Sequence, residues 1–353
     1  MLTFAGLIVL GFSGCGTAPP QRAMNQLGNR IEAGRHTSTP ASAHPRSGPG
    51  GIHAPYAIAA GAADIWFTEY SATMLGRMEP AGAFKQTELD LDGFPERLTV
   101  ARDGAVWFTD PQGGRLGRIF PDSNKADYYF VPTPKSGPAG IAAARDGSIW
   151  FTEHAADQIA ILVPAGADRP APGRHGFKEF ALPLGGGPAG IVAAADGSLW
   201  FAENSGNRIG RITLAQDAKE AVISEYPLPL PHSHPNSLAV GGDGDVYFTE
   251  LASNRIGRIT PQGQISEIEL PVAGPALDIV ADGEGTIWIT VPRAHAICRL
   301  RPGTPITAFN LPKTAIPAFI TDGADGNLYF TEPTGKIARF TPAGALTEFR
   351  LAD

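Results

Sequence analysis

From residue 54 onward, short β-prone apolar runs alternate with turn-forming Gly, Pro, Asp and Asn, and the alternation itself recurs along the chain. One unit reads Gly137-Pro138-Ala139-Gly140-Ile141-Ala142-Ala143-Ala144, then Arg145-Asp146-Gly147-Ser148, then Ile149-Trp150-Phe151-Thr152-Glu153. Asp-Gly between two such runs is a strong hairpin signal, because a tight turn needs residues that tolerate positive φ. The following unit continues through Asn207-Arg208-Ile209-Gly210-Arg211-Ile212 and closes on Ile223-Ser224-Glu225-Tyr226-Pro227-Leu228. Each unit therefore predicts four strands, A to D, in an antiparallel meander. Strand A is small and apolar on both faces, which suits a crowded inner position. Strand D alternates polar and apolar like a sheet with one wet face.

All five tryptophans, Trp66, Trp107, Trp150, Trp200 and Trp288, fall on strand B of this unit, and Tyr247 and Tyr329 fill two further slots. Successive aromatics lie 41, 43, 50, 47, 41 and 41 residues apart, a period that means seven copies of one supersecondary unit. An all-β, seven-bladed β-propeller with four antiparallel strands per blade is the architecture that packs such sheets radially. Strand alternation puts the aromatic and the threonine of strand B on one face, and the phenylalanine and glutamate on the other. Each large ring is thus predicted to sit between adjacent blades, where burial contributes about 4–6 kcal/mol at most. The repeat enters at Pro55-Tyr56-Ala57-Ile58 and ends on Ala345-Leu346-Thr347-Glu348-Phe349-Arg350-Leu351. Blade seven is therefore expected to supply all four of its own strands.

Composition fits many turns: the 43 glycines and 32 prolines fall at regular positions between the β-rich runs. The formal charge is −7, from 28 basic and 35 acidic residues, and no Lys/Arg-rich run occurs, which argues against a nucleic-acid partner. Cys15 and Cys298 are far apart in sequence, so no structural disulfide is expected, and the propeller is expected to be a monomer. Residues 1–21 carry no charged side chain, and the apolar run Leu2 to Phe12 ends in Phe12-Ser13-Gly14-Cys15, similar to a bacterial lipobox. Residues 1–14 read as a lipoprotein-type signal peptide, and 15–53 as a lipidated Cys15 followed by a Pro/Ser/Thr/Gly/Ala-rich disordered linker. Residues 54–353 are the propeller. As a flexible coil the linker spans about 35 Å and holds the domain clear of a bilayer. The expected location is extracytoplasmic, membrane-anchored through Cys15; an uncleaved membrane helix and a plain secretory signal are the other readings.

In an up-and-down blade the D–A and B–C loops share one face, here called the top. Two positions per blade converge there. The first follows the proline opening strand A and reads Tyr56, Glu96, Ala139, Ala189, Asn236, Ala276 and Ala318; the second ends strand B and reads Glu69, Asp110, Glu153, Glu203, Glu250, Val291 and Glu332. The strand-B acids fit either a metal funnel or a repeated structural acceptor. Variation among copies is more informative: Tyr56, Glu96 and Asn236 interrupt alanines, and the loop before blade five reads His232-Ser233-His234-Pro235. A His-x-His pair can offer two nitrogens to a metal or a base to a reaction. His154 and His295 occupy other B–C loops. The insertions after Val163 and after Thr213 belong to C–D loops on the opposite face.

The phrase Gly-Pro-x-Gly-Ile, Asp-Gly-x-(Leu/Ile)-Trp-Phe-Thr-Glu, Asn-x-Ile-Gly-Arg-Ile and Glu-Tyr-x-Leu-Pro resembles the virginiamycin B lyase (streptogramin lyase) family over residues 54–353. The resemblance implies the propeller and, in active members, linearisation of cyclic streptogramin B antibiotics by elimination, with magnesium and a histidine base. By position it implies that Tyr56 matches a family tyrosine and Glu332 a magnesium-ligating glutamate. Where the family opens its last two blades with Pro-His, this chain has Pro275-Ala276 and Pro317-Ala318, and Ile316 stands at a second metal glutamate. Three functions follow. The first is a non-lyase relative binding a small molecule or protein at its top face through Tyr56, Glu96, Asn236, Glu250, Glu203, His154 and His295. The second is a magnesium-dependent lyase using His232 or His234 with Glu250 and Glu203. The third is a metal-dependent hydrolase like the gluconolactonases.

Overall fold

The computed structural model describes residues 54–351 apart from positions 71, 92, 124, 164–175 and 215–220. Residues 1–53, on which the expected signal peptide, lipidated Cys15 and linker fall, and most of both C–D insertions lie outside the described residues. The described chain forms seven four-stranded antiparallel sheets, each built from four strands consecutive in sequence. Blade one runs Pro55–Ala60, Ile65–Glu69, Met74–Met78 and Phe84–Glu88, and blade seven runs Ile320–Asp322, Leu328–Glu332, Lys336–Phe340 and Leu346–Arg350. Blade seven does supply its own outer strand.

Strand B is buried from end to end in every blade. Its aromatic packs forward onto the next blade, as predicted: Trp107 meets Ile141, Ile149 and Phe151, and Trp200 meets Leu238, Val246 and Phe248. The polar edge of the ring is satisfied by the turn that precedes it. Trp288 Nε1 donates to Asp282 at 2.8 Å, and the Tyr247 and Tyr329 hydroxyls donate to Asp243 and Asp325 at 2.8 and 2.9 Å. In these three blades a turn aspartate satisfies the buried donor, and in blade three Ser148 does so, accepting from Trp150 Nε1 at 3.1 Å. On the other face of strand B, the phenylalanine lies flat over strand C. A Cβ on Gly76, Gly117, Gly210 or Gly257 would come within 1.9–2.1 Å of its Cζ, which is why glycine stands there.

The threonine of strand B joins the blades. Its hydroxyl accepts from an amide of its own strand A and donates to a strand-A carbonyl of the next blade. In blade three, Gly140 N donates to Thr152 Oγ1 at 2.8 Å, and Thr152 donates to the Ala189 carbonyl at 2.8 Å. The ring closes in the same way: Phe319 N donates to Thr331 Oγ1 at 3.1 Å, and Thr331 donates to the Tyr56 carbonyl at 2.8 Å. Six blades carry this relay, through Thr68, Thr109, Thr152, Thr249, Thr290 and Thr331. Blade four has Ala202 instead, and nearby Asn204 Nδ2 reaches the Pro235 carbonyl at 3.1 Å.

Thr331→Val keeps the shape and removes the hydroxyl, so a buried amide and carbonyl lose their partner. It is expected to lower unfolding free energy by about 1–3 kcal/mol. Thr347→Val, on the exposed outer strand, should stay within about 0.5 kcal/mol of wild type in the same denaturant titration.

Candidate functional site

The threonine relay fixes which strand-A residues face the channel. The carbonyls that accept from it belong to Tyr56, Glu96, Ala139, Ala189, Leu277 and Ala318. Leu277 corrects the expected register, in which Ala276 held this position. Both Leu277 N and its equivalent Ala318 N donate to the strand-B threonine carbonyl, so blade six is advanced by one residue after Pro275. The amides that donate to the relay add a second ring: Ala57, Arg97, Gly140, Ser237, Asp278 and Phe319. At Gly140 and Gly190 an added Cβ would come within 2.1 and 2.2 Å of the next blade's backbone, so these blades approach too closely for a side chain. The others carry side chains, and these fill the centre.

Arg97 is the hub. Its guanidinium lies 4.2 Å from the centroid of Phe319 and 5.8 Å from that of Tyr56. Tyr56 in turn meets Phe319 edge-on at 4.5 Å and Tyr70 at 5.3 Å, and Tyr70 meets Phe94 at 4.2 Å. Phe94, Tyr70, Tyr56 and Phe319 thus form a continuous chain of rings from blade two through blade one to blade seven. Phe94, Tyr70, Glu96 and Arg97 are half-buried, so the chain opens at the channel mouth. Burial pushes the Tyr56 phenol above its usual range and the Tyr70 phenol up to about 12. Burial also raises the Glu96 and Asp278 carboxyls, and Arg97 opposes both shifts. Asp278 accepts from Ser237 Oγ at 2.5 Å and from Ile320 N at 2.9 Å, tying blades five, six and seven together.

Of the predicted residues, Tyr56 and Glu96 come together around Arg97. Asn236 is fully buried; its Nδ2 approaches the Leu277 carbonyl at 3.4 Å and its Oδ1 has no hydrogen-bond partner. The strand-B acids are turned into the blades. Asp110 pairs with Arg115 at 2.8 Å and Glu203 with Arg208 at 2.6 Å, while Glu250 accepts from Ser253 at 2.8 Å. The histidines are dispersed. His154 Nδ1 lies 3.2 Å from the Pro188 carbonyl, and His295 Nδ1 lies 2.9 Å from that of Ala315. His232 is exposed, whereas the Nδ1 of half-buried His234 is enclosed without a hydrogen-bond partner. Cys298 is a free buried thiol paired across from Ile289.

Sequence reasoning missed Arg97, Asp278, Phe319 and Tyr70. For Arg97 and Phe319 the available signal was the residue after the strand-A position, where they interrupt Ala, Gly and Ser; Asp278 falls there only once Leu277 replaces Ala276, and Tyr70 lies in a B–C loop.

Glu332 does not fit a magnesium ligand in this setting. Its Oε2 lies 3.9 Å from Lys336 Nζ and 3.4 Å from Ile316 N, and Oε1 is enclosed by protein without a partner. Burial first, and Glu348 next, push its carboxyl up to about 7, against Lys336. Among the described residues, no three His, Cys, Asp or Glu side chains converge on one metal position.

The fold and channel define a seven-bladed propeller with an aromatic, arginine-centred mouth. The sequence profile of the virginiamycin B lyase family matches residues 24–172 and 171–353, and the chain belongs to that family. It is 32% identical to a streptogramin B lyase of known structure, covering 85% of this chain and 95% of that one at a TM-score of 0.74. A selenomethionine-substituted virginiamycin B lyase from Staphylococcus aureus superposes at 0.73 with 31% identity, covering 82% and 95%. A catalytically inactive histidine-to-alanine variant of the S. aureus enzyme with quinupristin superposes at 0.69 with 30% identity, covering 85% and 96%. The Nocardia farcinica virginiamycin B lyase is 35% identical over 89 residues, spanning 25% of this chain and 31% of that enzyme.

A raised carboxyl pKa means that the folded state holds a proton the unfolded chain has released, so stability falls as pH rises from the unfolded value near 4.5 through about 7. Glu332→Gln should flatten that part of the profile, read as a smaller loss of unfolding free energy between pH 5 and pH 8 than in wild type.

Proposed function

We propose that this chain is a member of the family that binds a ligand at its channel mouth without carrying out the lyase step. The observation that carries the reading is the register at the channel. The blade-six and blade-seven positions hold Leu277 and Ala318, neither of which can take a proton, and Glu332 lies beside Lys336, with Ile316 where a second acid would face the channel. What the site keeps is binding chemistry. The ring chain Phe94–Tyr70–Tyr56–Phe319 offers apolar and aromatic surface, and Arg97, Glu96 and Asn236 offer polar contacts around it. A small molecule or peptide with apolar or aromatic groups suits that surface. We further propose that the chain is held outside the cytoplasm by lipidated Cys15.

A second reading, a lyase with a relocated base, is favoured by one observation: His234 Nδ1 is enclosed and unpartnered, in a loop whose Ser233 contacts Glu250. Incubation with quinupristin and magnesium, followed by mass analysis, separates the two. Bound but unopened quinupristin is expected, with Tyr70→Ala weakening binding about 2–10-fold. A linear product that disappears in His234→Ala would establish the relocated lyase instead.

A further inference from the structure

Blades four, five and seven place the strand-B glutamate beside a base on strand C and a second glutamate on strand D. The sets are Glu203, Arg208 and Glu225; Glu250, Arg255 and Glu267; and Glu332, Lys336 and Glu348. The base pairs with at least one of the acids: Arg208 lies 2.6 Å from Glu203, Arg255 lies 3.3 Å from Glu267, and Lys336 reaches both, at 3.9 and 2.8 Å from Glu332 and Glu348. Blade three repeats the two acids, as Glu153 and Glu179, but its strand-C position holds Gln158, paired directly across from Glu153.

Blade five is the closest control. Ser233 stands two residues before Pro235 and contacts Glu250; Ser136 stands two residues before Pro138 and contacts Glu153. In both blades the serine carbonyl accepts from the B–C loop, Ala252 N in one and Ala155 N in the other. The two sites thus share a serine, a strand-B glutamate and a strand-D glutamate, and differ where a guanidinium has become a neutral amide. Blade five leaves one oxygen of each glutamate, Glu250 Oε1 and Glu267 Oε1, without a partner, and in blade three the deficit is larger. Ser136 Oγ, both Glu153 carboxylate oxygens and Gln158 Oε1 are all enclosed and unbonded, with Glu153 at 0% exposure and Ser136 at 1%. Glu179 is held in place from outside, accepting from Thr133 N at 2.9 Å and Thr133 Oγ1 at 2.8 Å.

A buried acid beside a half-buried one, with no base between them, calls for positive charge. The donors are all oxygen, two carboxylates, an amide and a hydroxyl, which is the ligand chemistry of hard cations rather than of zinc or copper. We propose that Ser136, Glu153, Gln158 and Glu179 form a binding site for a hard divalent cation of the Ca²⁺ or Mg²⁺ class, standing where blade five holds the Arg255 guanidinium. The site lies within one blade, apart from the Arg97 cluster, and serves the structure by neutralising the acids. It is independent of the ligand-binding reading.

The test is calorimetric titration and thermal unfolding of the full chain after chelator treatment, with CaCl₂ and MgCl₂ as probes. Wild type is expected to bind one of them at a single site and to gain about 2–4 °C in Tm. Gln158→Arg rebuilds the blade-five arrangement, so it should lose the binding heat and, without metal, unfold at least as high as metal-loaded wild type. Glu153→Gln should also lose binding. The proposal is overturned if neither metal binds wild type, or if binding persists undiminished in Gln158→Arg. It is equally overturned if metal-free wild type loses stability only as pH rises through about 8 and ignores metal, since a shared proton would then neutralise the pair.

Discussion

The fold depends on a hydroxyl that works in two directions. A strand-B threonine accepts an amide hydrogen from its own blade and passes its own hydrogen to a carbonyl of the next, so each blade is aligned by its predecessor. Aromatic burial between blades supplies more free energy but is tolerant of sliding, because it scales with area and has little direction. The hydrogen bond is directional, and its loss leaves buried polar groups unpaired. Packing holds the ring together, and the threonines set its register. The last relay, from Thr331 to the Tyr56 carbonyl, closes the circle without any strand crossing between blades.

That register decides what the channel contains. Small residues on strand A let the backbones converge, and Gly140 and Gly190 mark where they converge most. Where a larger residue is admitted, it projects into the shared centre and meets side chains from distant blades. Arg97 of blade two reaches Phe319 of blade seven in this way, and Asp278 of blade six ties Ser237 of blade five to Ile320 of blade seven. The same geometry that builds a ligand mouth places Leu277 and Ala318 in the channel wall, and neither can hold a proton. Family membership and family chemistry thus part company at particular positions. The strand-B acids belong to a separate set of contacts inside the blades, where each is matched by a neighbouring donor or base except in blade three.

The fold was legible because its causes are periodic. A tryptophan every forty-odd residues, an Asp-Gly turn ahead of it and a threonine after it name the blade, the hairpin and the face without reference to anything distant. The site was only half legible. Tyr56 and Glu96 stood out because they interrupt alanines, but Arg97 looked like one more charged residue beside a turn until the sheets brought Phe319 next to it. Blade six shows the limit of counting: aligning on Pro275 gives Ala276, whereas the hydrogen bonds give Leu277, since a proline marks a loop and only pairing fixes a register. The histidines misled for a related reason. They are conspicuous by residue type, but two of them spend Nδ1 on backbone carbonyls, a use that depends on backbone positions no local pattern encodes.

Blade four provides the internal control for the threonine account, because Ala202 leaves Gly190 N without the hydroxyl that its six equivalents use. Native-state hydrogen exchange at single-residue resolution reads this directly. The account predicts that the amides of Ala57, Arg97, Gly140, Ser237, Asp278 and Phe319 are strongly protected, and that Gly190 exchanges markedly faster. Protection of Gly190 equal to that of the other six would show that strand packing alone sets the register, and would contradict the account.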